Sequence, residues 1–500
     1  MRHYFIIPLI AVLLFIVSPV FAETVTFTKE YTYQASDFDS RNSSRTLALE
    51  TVKRLLLEEL GTYLVGETEV KDMKITKDQV TTYSAGIVGA EIIDEKWDGK
   101  SYWLKAKVSA DPKEVEKALK KLLEDKSKLK ELEETRKKAE ELTKENERLR
   151  KELEAGAKAN KPDKEAEAKN VEAYEKTING LNAVDWFEKG NAADDAERWQ
   201  EGIGAYTKAI ELNPDFAEAY YNRGRSYFKL GNYQQAIKDF TKVIELNPDN
   251  AHAYGYRGLA YDDLGKHQQA IEDITKTIEL EPDDALTYTV RGDAYASLGN
   301  YKQAIEDFNK AIELKPDYAH AYNGRGIAYA SLGNYKQAVK DFNKAIELKP
   351  DDDEAYGNRG VAYDRLGNHQ QAIKDLTKAI ELKPDLAEAY GDRGNAYASL
   401  GNYKQAIEDF NKAIELKPDY AVTYVMRGDA YDKLGNYQQA IKEFTNAVEL
   451  KPDDADLYYF RGTVYDDLGN YKQKIADFKI AARLGNKDAQ EFLKKKDIQW

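Results

Sequence analysis

The chain has 500 residues, and 74 Lys and Arg stand against 88 Asp and Glu, so its formal charge is −14. This length corresponds to about three domains of common size, and a hydrophobic share of 42% is enough for packed cores. An acidic chain lacks the clustered Lys and Arg that nucleic-acid binding requires. Because Cys is absent, disulfides, thiolate metal sites and a Cys nucleophile are excluded.

The N-terminal residues have the pattern of an export signal. Arg2 and His3 precede an apolar run over 4–17, and the small residues Val20 and Ala22 occupy the −3 and −1 positions of a cleavage site. This pattern predicts a signal peptide over 1–22 and an exported protein of the periplasm or cell envelope. The alternative is an uncleaved inner-membrane anchor over 4–20, although the apolar run is shorter than the ~18–20 residues that span a bilayer.

Residues 23–112 predict a small α+β domain. Residues 24–33 alternate as a strand does, Leu47 to Leu60 recur at helical spacing, and segments 86–97 and 101–109 flank the hairpin turn signal Asp98-Gly99. The stretches ASDFDSR and GIVGAEIIDEKWDGKSYWLKAKV resemble bacterial envelope domains such as the N-terminus of flagellar assembly protein T. The resemblance implies an adaptor role in the envelope and no chemistry.

Residues 113–155 carry the pattern of a coiled coil. The apolar and Asn positions of its predicted seam are Leu132, Ala139, Leu142, Asn146, Leu149 and Leu153. Seven-residue spacing with Asn at an a position favours a parallel two-stranded coil, so we predict a homodimer through this segment. The alternative is a single solvated helix with ion pairs four residues apart. Residues 156–182 are predicted to be a linker.

The remainder of the chain repeats every 34 residues. Proline recurs at this interval from Pro214 to Pro452, and so does an Arg-Gly pair from Arg223 to Arg461. The period and the pattern A-x-A-Y-x-x-R-G-x-A-Y-x-x-L-G-N-Y-x-Q-A-I resemble the tetratricopeptide repeat, TPR. The resemblance implies a mainly α fold, a TPR α-solenoid in which helix pairs form a right-handed superhelix, preceded by the coiled coil and the α+β domain. The nine predicted units are 183–216, 217–250, 251–284, 285–318, 319–352, 353–386, 387–420, 421–454 and 455–488, and 487–500 is a capping helix and tail.

Within a unit, numbered so that Ala217 is position 1, two charges recur together. Arg stands at position 7 of eight units, and each of these units has Asp or Glu at position 23. We predict an ion pair that joins the two helices of the unit. The recurring Tyr, with His267 and His369 in its place in two units, is expected to pack between helices. In the last unit Lys474 replaces Ala, and the divergence is expected because an outermost repeat must present a polar face.

The first helix of each unit supplies the groove of TPR proteins, mainly at positions 2, 5, 9 and 12. The candidate partner-binding residues at or beside these positions are Tyr221, Phe228, Asp262, Asp263, Asp293, Asp364, Asp429, Asp432, Tyr459, Asp466 and Asp467. Residues 183–500 hold 42 Lys and Arg against 54 Asp and Glu, so a basic protein or peptide is the expected partner. The alternative is an acidic face that only keeps the array in solution.

No side-chain constellation predicts catalysis. There is no nucleophile with a paired base and no Gly-rich phosphate loop, so no enzyme activity, metal or cofactor is predicted. His252 and His320 share position 2 two units apart, which is too far for one metal site. The expected function is a protein-binding scaffold of the cell envelope. A structural spacer acting through the coiled coil and the N-terminal domain is the first alternative, and a cell-wall carbohydrate binder is a remote one.

Overall fold

The structure, a computed structural model, describes residues 24–66, 75–85, 87–157 and 164–500. The described chain is mainly helical and forms two compact units, one that ends at Pro248 and one that begins at Asp249. The predicted signal peptide, 1–22, lies outside the described residues. Across the part that is described, no helix is both long and apolar enough to cross a membrane.

The first unit contains a three-stranded antiparallel sheet. Its strands are β1 (Val25–Gln34), β2 (Glu91–Trp97) and β3 (Ser101–Ala110), in the order β1-β3-β2. The predicted hairpin is present, because the Asp98 carboxylate accepts from the backbone N–H of Lys100 at 2.8 Å and of Ser101 at 2.6 Å. Gly99 takes a φ of +92° in this turn, a conformation that glycine adopts without a Cβ penalty.

One face of the sheet packs on the long helix α1 (Arg41–Gly66). Tyr102, Leu104, Ala106 and Val108 alternate along β3 and are buried there, as their spacing predicts. A second helix, α2 (Lys77–Ala85), packs on α1 and was not predicted from the sequence.

The segment predicted as a coiled coil consists of two helices, α3 (Pro112–Glu124) and α4 (Lys126–Ala157). The break lies at Asp125, whose backbone N–H bonds to the carbonyl of Leu122. The helix α5 (Lys164–Asp195) follows. The prediction of a linker over 156–182 is therefore wrong for residues 164–182.

The predicted dimer seam packs on α5 of the same chain. Asn146 Nδ2 donates to Thr177 Oγ1 at 3.0 Å, and both side chains are buried. A Cβ on Gly180 would lie 3.0 Å from Leu142 Cδ1, so the two helices approach closely there. Thr177 of α5 contacts Asn146 of α4, and the later residue Gly180 contacts the earlier residue Leu142. The two helices are therefore antiparallel and form a hairpin.

The other seam residues are also buried or half-buried within the chain. Leu149 (3% exposed) and Leu153 (2%) lie in one core, against which Leu132 and Leu142 pack, and Ala139 (8%) lies in a second core with Ala183 and Val184 of α5. The apolar seam predicted on α4 is present, but the helix that packs on it is α5 of the same chain. A second amphipathic helix in the same chain has a high effective concentration, so it competes well against a second molecule.

The hairpin shares one core with the α+β region. Val115 and Leu119 of α3 are buried together with the sheet, and Leu149 of α4 and Tyr174 of α5 belong to the same apolar cluster. Polar contacts add to it, since Arg150 Nη1 donates to the Tyr33 hydroxyl at 2.6 Å. Residue 112 therefore does not separate two cores.

The first unit also contains the first repeats. The C-terminal part of α5 pairs with α6 (Trp199–Leu212), and α7 (Ala217–Lys229) pairs with α8 (Tyr233–Leu246). Because α5 is one uninterrupted helix, it belongs both to the hairpin and to the first repeat.

The second unit consists of seven helix pairs and a last helix. The pairs are α9 (Ala251–Asp263) with α10 (His267–Leu280), α11 (Ala285–Ser297) with α12 (Tyr301–Leu314), α13 (Ala319–Ser331) with α14 (Tyr335–Leu348), α15 (Asp353–Arg365) with α16 (His369–Leu382), α17 (Ala387–Ser399) with α18 (Tyr403–Leu416), α19 (Ala421–Lys433) with α20 (Tyr437–Leu450), and α21 (Ala455–Asp467) with α22 (Tyr471–Arg483). The last helix is α23 (Lys487–Lys495). From α9 to α19, each first helix contacts the first helix of the next pair.

Small residues allow the two helices of a pair to approach. A Cβ on Gly360 of α15 would lie 2.7 Å from Leu376 Cγ of α16. Between the helices, Gly367 has a φ of +78°, and its N–H bonds to Asp364 O at 2.9 Å. Asn368 N bonds to Tyr363 O, which completes the Schellman ending of the helix.

The last pair is covered by α23. Asn486 begins this helix by accepting from the N–H of Ala489 at 2.8 Å. Lys474 is 8% exposed, not part of a polar outer face as expected, and its ammonium lies 4.4 Å from the centre of the Phe492 ring of α23. Its Nζ also donates to Asp466 at 2.6 Å, so the charge remains compensated under the cap.

Candidate protein-binding surface

The predicted ion pair between the two helices of a repeat is confirmed. Arg359 of α15 donates from Nε and Nη2 to the two oxygens of Asp375 of α16, at 2.7 and 2.8 Å. The same pair recurs in every unit that has Arg at position 7: Arg223–Asp239, Arg257–Asp273, Arg291–Asp307, Arg325–Asp341, Arg359–Asp375, Arg393–Asp409, Arg427–Glu443 and Arg461–Asp477. Two parallel bonds to a carboxylate fix both distance and orientation.

The same guanidinium also reaches the preceding repeat. Arg359 Nη1 donates to Asn343 Oδ1 of α14 at 2.7 Å, and the guanidinium lies 5.3 Å from the centre of the Tyr356 ring. Burial lowers the pKa of Arg359, but the hydrogen bond to Asp375 and the charge of that carboxylate together raise it by more, so the net shift of the pKa is upward and the group stays charged. We call this arrangement the arginine staple. Its donors are directed into the chain, so it holds the array together and is not a binding site.

Three of the predicted groove acids contact a His or Lys side chain of the same or the next unit. The pairs are Asp262–His267 (2.7 Å), Asp293–His320 (3.1 Å) and Asp466–Lys474 (2.6 Å). The hydrogen bond to Asp293 raises the pKa of His320, while burial of the ring lowers it, and the net shift is upward. The Lys474 ammonium reduces the negative charge that Asp466 presents to a partner, and the two imidazoles occupy hydrogen-bonding positions on Asp262 and Asp293.

The histidines at the start of two second helices do more than pack in place of Tyr. His267 and His369 are half-buried, as the packing role predicts, and each Nδ1 also lies 2.7 Å from an Asp at position 12 of the preceding helix. Among the described residues no group of His, Asp and Glu has a metal-binding arrangement.

A second set of acids lies on neighbouring first helices α15 and α17. Asp364 is half-buried, bound by His369 and 3.4 Å from Asn395 Nδ2. Asp392 of α17 was not among the predicted residues, and burial followed by the charge of Asp364 raises the pKa of its carboxyl to about 6. Position 6 is occupied by residues of many types, so the sequence pattern gave no signal for Asp392.

The next first helix, α19, carries Asp429 and Asp432. Asp429 is exposed. Asp432 Oδ2 lies 3.4 Å from Lys433 Nζ, while its Oδ1 is buried with no hydrogen-bond partner among the described residues. The remaining predicted acids, Asp263 and Asp467, are exposed at the ends of α9 and α21. Four acids, Asp364, Asp392, Asp429 and Asp432, thus lie on the neighbouring first helices α15, α17 and α19.

The three predicted aromatic anchors are packed within the chain. The ring of Tyr221 meets Phe240 edge-on at 5.9 Å, and the ring of Phe228 meets Tyr233 at 5.2 Å. Tyr459 stacks on a ring of the last pair, Phe478, at 5.0 Å. Their half-buried rings stabilise their own repeats.

An apolar patch not predicted from the sequence lies between α19 and α21. Val422 and Phe460 are 40% and 39% exposed, and with Val425 and Leu457 they line a cavity of about 200 Å³. Asp456 lies at its edge. This patch combines apolar contact area with nearby carboxylates, the composition of a protein-binding surface.

Comparison with known families gives the tetratricopeptide repeat. Its model matches 217–250, 251–284, 319–352, 353–386 and 387–420. Two related models match 190–231, 292–333 and 428–469 (TPR repeat), and 410–442 (tetratricopeptide repeat). A comparison with curated proteins gives no match.

Solved structures give similar results over parts of the chain. MamA is 30% identical over 34% of this chain and 94% of its own, with a TM-score of 0.32. YrrB, a TPR protein with an unusual peptide-binding site, is 27% identical over 37% of this chain and 95% of its own, with a TM-score of 0.32. A tetratricopeptide repeat protein from Parabacteroides merdae is 24% identical over 49% and 97%, with a TM-score of 0.40.

The family models cover residues 190–284 and 292–469, more than half of the chain, and the helix pairs of the structure occupy the same residues. The chain belongs to the tetratricopeptide repeat family.

Proposed function

We propose that this protein is a non-enzymatic scaffold of the bacterial cell envelope that binds a basic protein or peptide on the first helices of its second unit. A TPR array fits a protein–protein interaction scaffold, and no catalytic family matches the chain. The location in the cell envelope, the basic character of the partner and the helices that bind it are the parts that we propose.

The observation that carries the proposal is the difference between two kinds of carboxylate. The acids at position 23 are bound by the arginine staple, so their charge is used within the chain. Asp364, Asp392 and Asp432 have no arginine of this kind. Asp392 is held among Asp364, Arg365 and Glu388, where burial disfavours its charged form. A Lys or Arg of a partner would add a counter-charge to these acids.

The apolar patch of Val422 and Phe460 supports the same surface. Affinity at protein interfaces comes mainly from a few well-packed anchors, and charges contribute selectivity and association rate. A partner that places a basic residue against α15 and α17 and an apolar one against Phe460 would use both features. Envelope location is proposed from residues 1–22, whose pattern is that of an export signal.

The test is selection from a random peptide library displayed on phage, with the full chain immobilised. We expect enrichment of peptides that contain Lys or Arg, and their affinity should fall steeply between about 0.05 and 0.5 M salt. A variant that combines Asp364→Asn, Asp392→Asn, Asp429→Asn and Asp432→Asn removes the proposed charges. It should no longer bind the enriched peptides.

The matched control removes four acids of the inter-repeat turns instead: Asp283→Asn, Asp351→Asn, Asp419→Asn and Asp453→Asn. These are exposed at position 33, so the net charge changes equally while the first helices are untouched. Equal loss in both variants would show that only the overall charge matters. A selection without enriched peptides would contradict the proposal and favour a structural spacer.

A further inference from the structure

Four charged side chains meet where α1 crosses α5 in the first unit. Lys53 of α1 lies with its Nζ 3.4 Å from Glu50 Oε1 and 3.9 Å from Glu188 Oε2, and it forms an ion pair with Asp185. Glu50, Lys53 and Asp185 keep only 22%, 20% and 14% of their side chains exposed. We call Glu50, Lys53, Asp185 and Glu188 the junction cluster.

The charges of the junction cluster do not balance. Three carboxylates surround one ammonium, and the charge of Arg136 of α4 acts on Glu188 as well. Water screens such charges weakly when the side chains are buried, so the carboxylates repel one another. Neutralising one of them removes this repulsion and leaves Lys53 paired.

Glu50 is the carboxyl best placed to take up a proton. It is within hydrogen-bonding reach of Asp185, so a protonated Glu50 can donate to that carboxylate. Burial raises the pKa of Glu50 to about 7; Lys53 opposes the shift, while Asp185 and Glu188 add to it. Burial lowers the pKa of Lys53, but the three carboxylates raise it further, so Lys53 stays charged.

The position of the cluster links two parts of the first unit. Helix α1 covers the sheet, whereas Asp185 and Glu188 lie on the stretch of α5 that forms the first repeat. Outside the cluster, a hydrogen bond from Thr46 Oγ1 to Asn182 Oδ1, at 2.9 Å, also joins α1 and α5. The cluster therefore lies where α1 packs on the first repeat.

We propose that the junction cluster is a proton-operated latch, in which protonation of Glu50 tightens the packing of α1 on the first repeat and deprotonation loosens it. The direction follows from linkage: a carboxyl whose pKa is raised by docking binds more protons when docked. Docking is therefore weakest above about pH 7 and strengthens as the pH falls from there toward the ordinary Glu value of about 4.5.

The absence of Cys makes a thiol probe specific. Thr46 is 5% exposed at this contact, so the full chain with T46C reports the opening of α1 through the rate of thiol labelling. Each rate is divided by that of the unfolded protein at the same pH. We expect the ratio to rise about tenfold from about pH 5.5 to about pH 7.5. Adding Glu50→Gln should keep the ratio low at both pH values.

Two controls separate the latch from general loosening. Glu58→Gln removes an acid of the same helix that pairs with Arg54 on the surface, and it should leave the rise intact. A139C reports the α4–α5 contact, whose labelling ratio should not change with pH. A rise that persists in Glu50→Gln, or that A139C shares, would overturn the latch.

Hydrogen exchange provides a second measurement without a Cys substitution. In the native sequence, protection of α1 amides around Val52, corrected for intrinsic rates, should fall with rising pH by the same factor. Glu50→Gln should remove the change, and Glu58→Gln should retain it. Uniform protection of α1 across this pH range in the native sequence would also overturn the proposal.

Discussion

Replacing one arginine of the staple, Arg359→Leu, tests what holds a repeat together. The change removes both hydrogen bonds to Asp375 and the bond to Asn343 of the preceding repeat. Asp375 then stays in place with only 4% of its side chain exposed and one described donor, Gln371 Nε2 at 3.1 Å. A buried carboxylate would have lost its counter-charge.

The expected cost is about 3 kcal/mol of local stability. Removing one partner of a buried ion pair costs about 3–5 kcal/mol, because the remaining charge is left in a poorly screened place. The retained bond from Gln371 and the remaining 4% exposure of Asp375 place the value at the lower end. Removing both charges, Arg359→Leu with Asp375→Leu, should return to within about 1 kcal/mol of the native protein.

Hydrogen exchange is the suitable assay, because a repeat array opens locally and does not unfold in one step. Amides of α15 and α16 should exchange roughly a hundredfold faster in Arg359→Leu. Arg365→Leu is the control, since Arg365 is exposed on the same helix. A change below about 1 kcal/mol, or a double variant no more stable than the single one, would refute the ion-pair reasoning.

Other predictions concern glycine, the cap, the hairpin and the groove. Gly357→Ala should raise stability by about 1 kcal/mol, since its Cβ meets nothing within 4 Å, whereas Gly360→Ala should lower it in the same thermal melts because Leu376 is in the way. Lys474→Ala should expose α23 to limited proteolysis, since the cap loses its cation; unchanged cleavage would contradict this. Leu149→Asp should destabilise the first unit by several kcal/mol in urea unfolding; a change only in sedimentation would point back to a dimer. Basic-peptide binding should weaken below about pH 6 as Asp392 and Asp429 are protonated, and Asp392→Asn combined with Asp429→Asn should flatten that profile in fluorescence anisotropy.

The repeats show how far the sequence leads. A period of 34 residues with Gly at position 8 and Pro at its end predicted the helix pairs, because each helix can bury its apolar stripe only against a neighbour. The pairing of Arg359 with Asp375 followed from their recurring co-occurrence. The hairpin at Asp98 and Gly99 was also predicted, because the turn preference of this residue pair acts within a few residues of the chain.

The errors came where a pattern has several possible partners. The apolar side of α4 was identified, but the pattern alone does not distinguish a second copy from a helix of the same chain. Tyr221 and Tyr459 were predicted as candidate partner-binding residues, and in the structure their half-buried rings pack on rings of their own units. Asp392 was missed because its significance arises from burial near Asp364, not from its place in the repeat.

The sequence by itself determined the repeat, its units and the pairs of charges that join its helices, because all of these depend on spacing within 34 residues. Only the tertiary structure decided that α5 pairs with α4, that the α+β region shares their core, and that Lys53 meets three carboxylates. The contact of Lys53 with Asp185 joins residues 132 positions apart, and that of Asn146 with Thr177 joins residues 31 positions apart. Their energy depends on burial and on which surfaces meet, and neither is written in a local pattern.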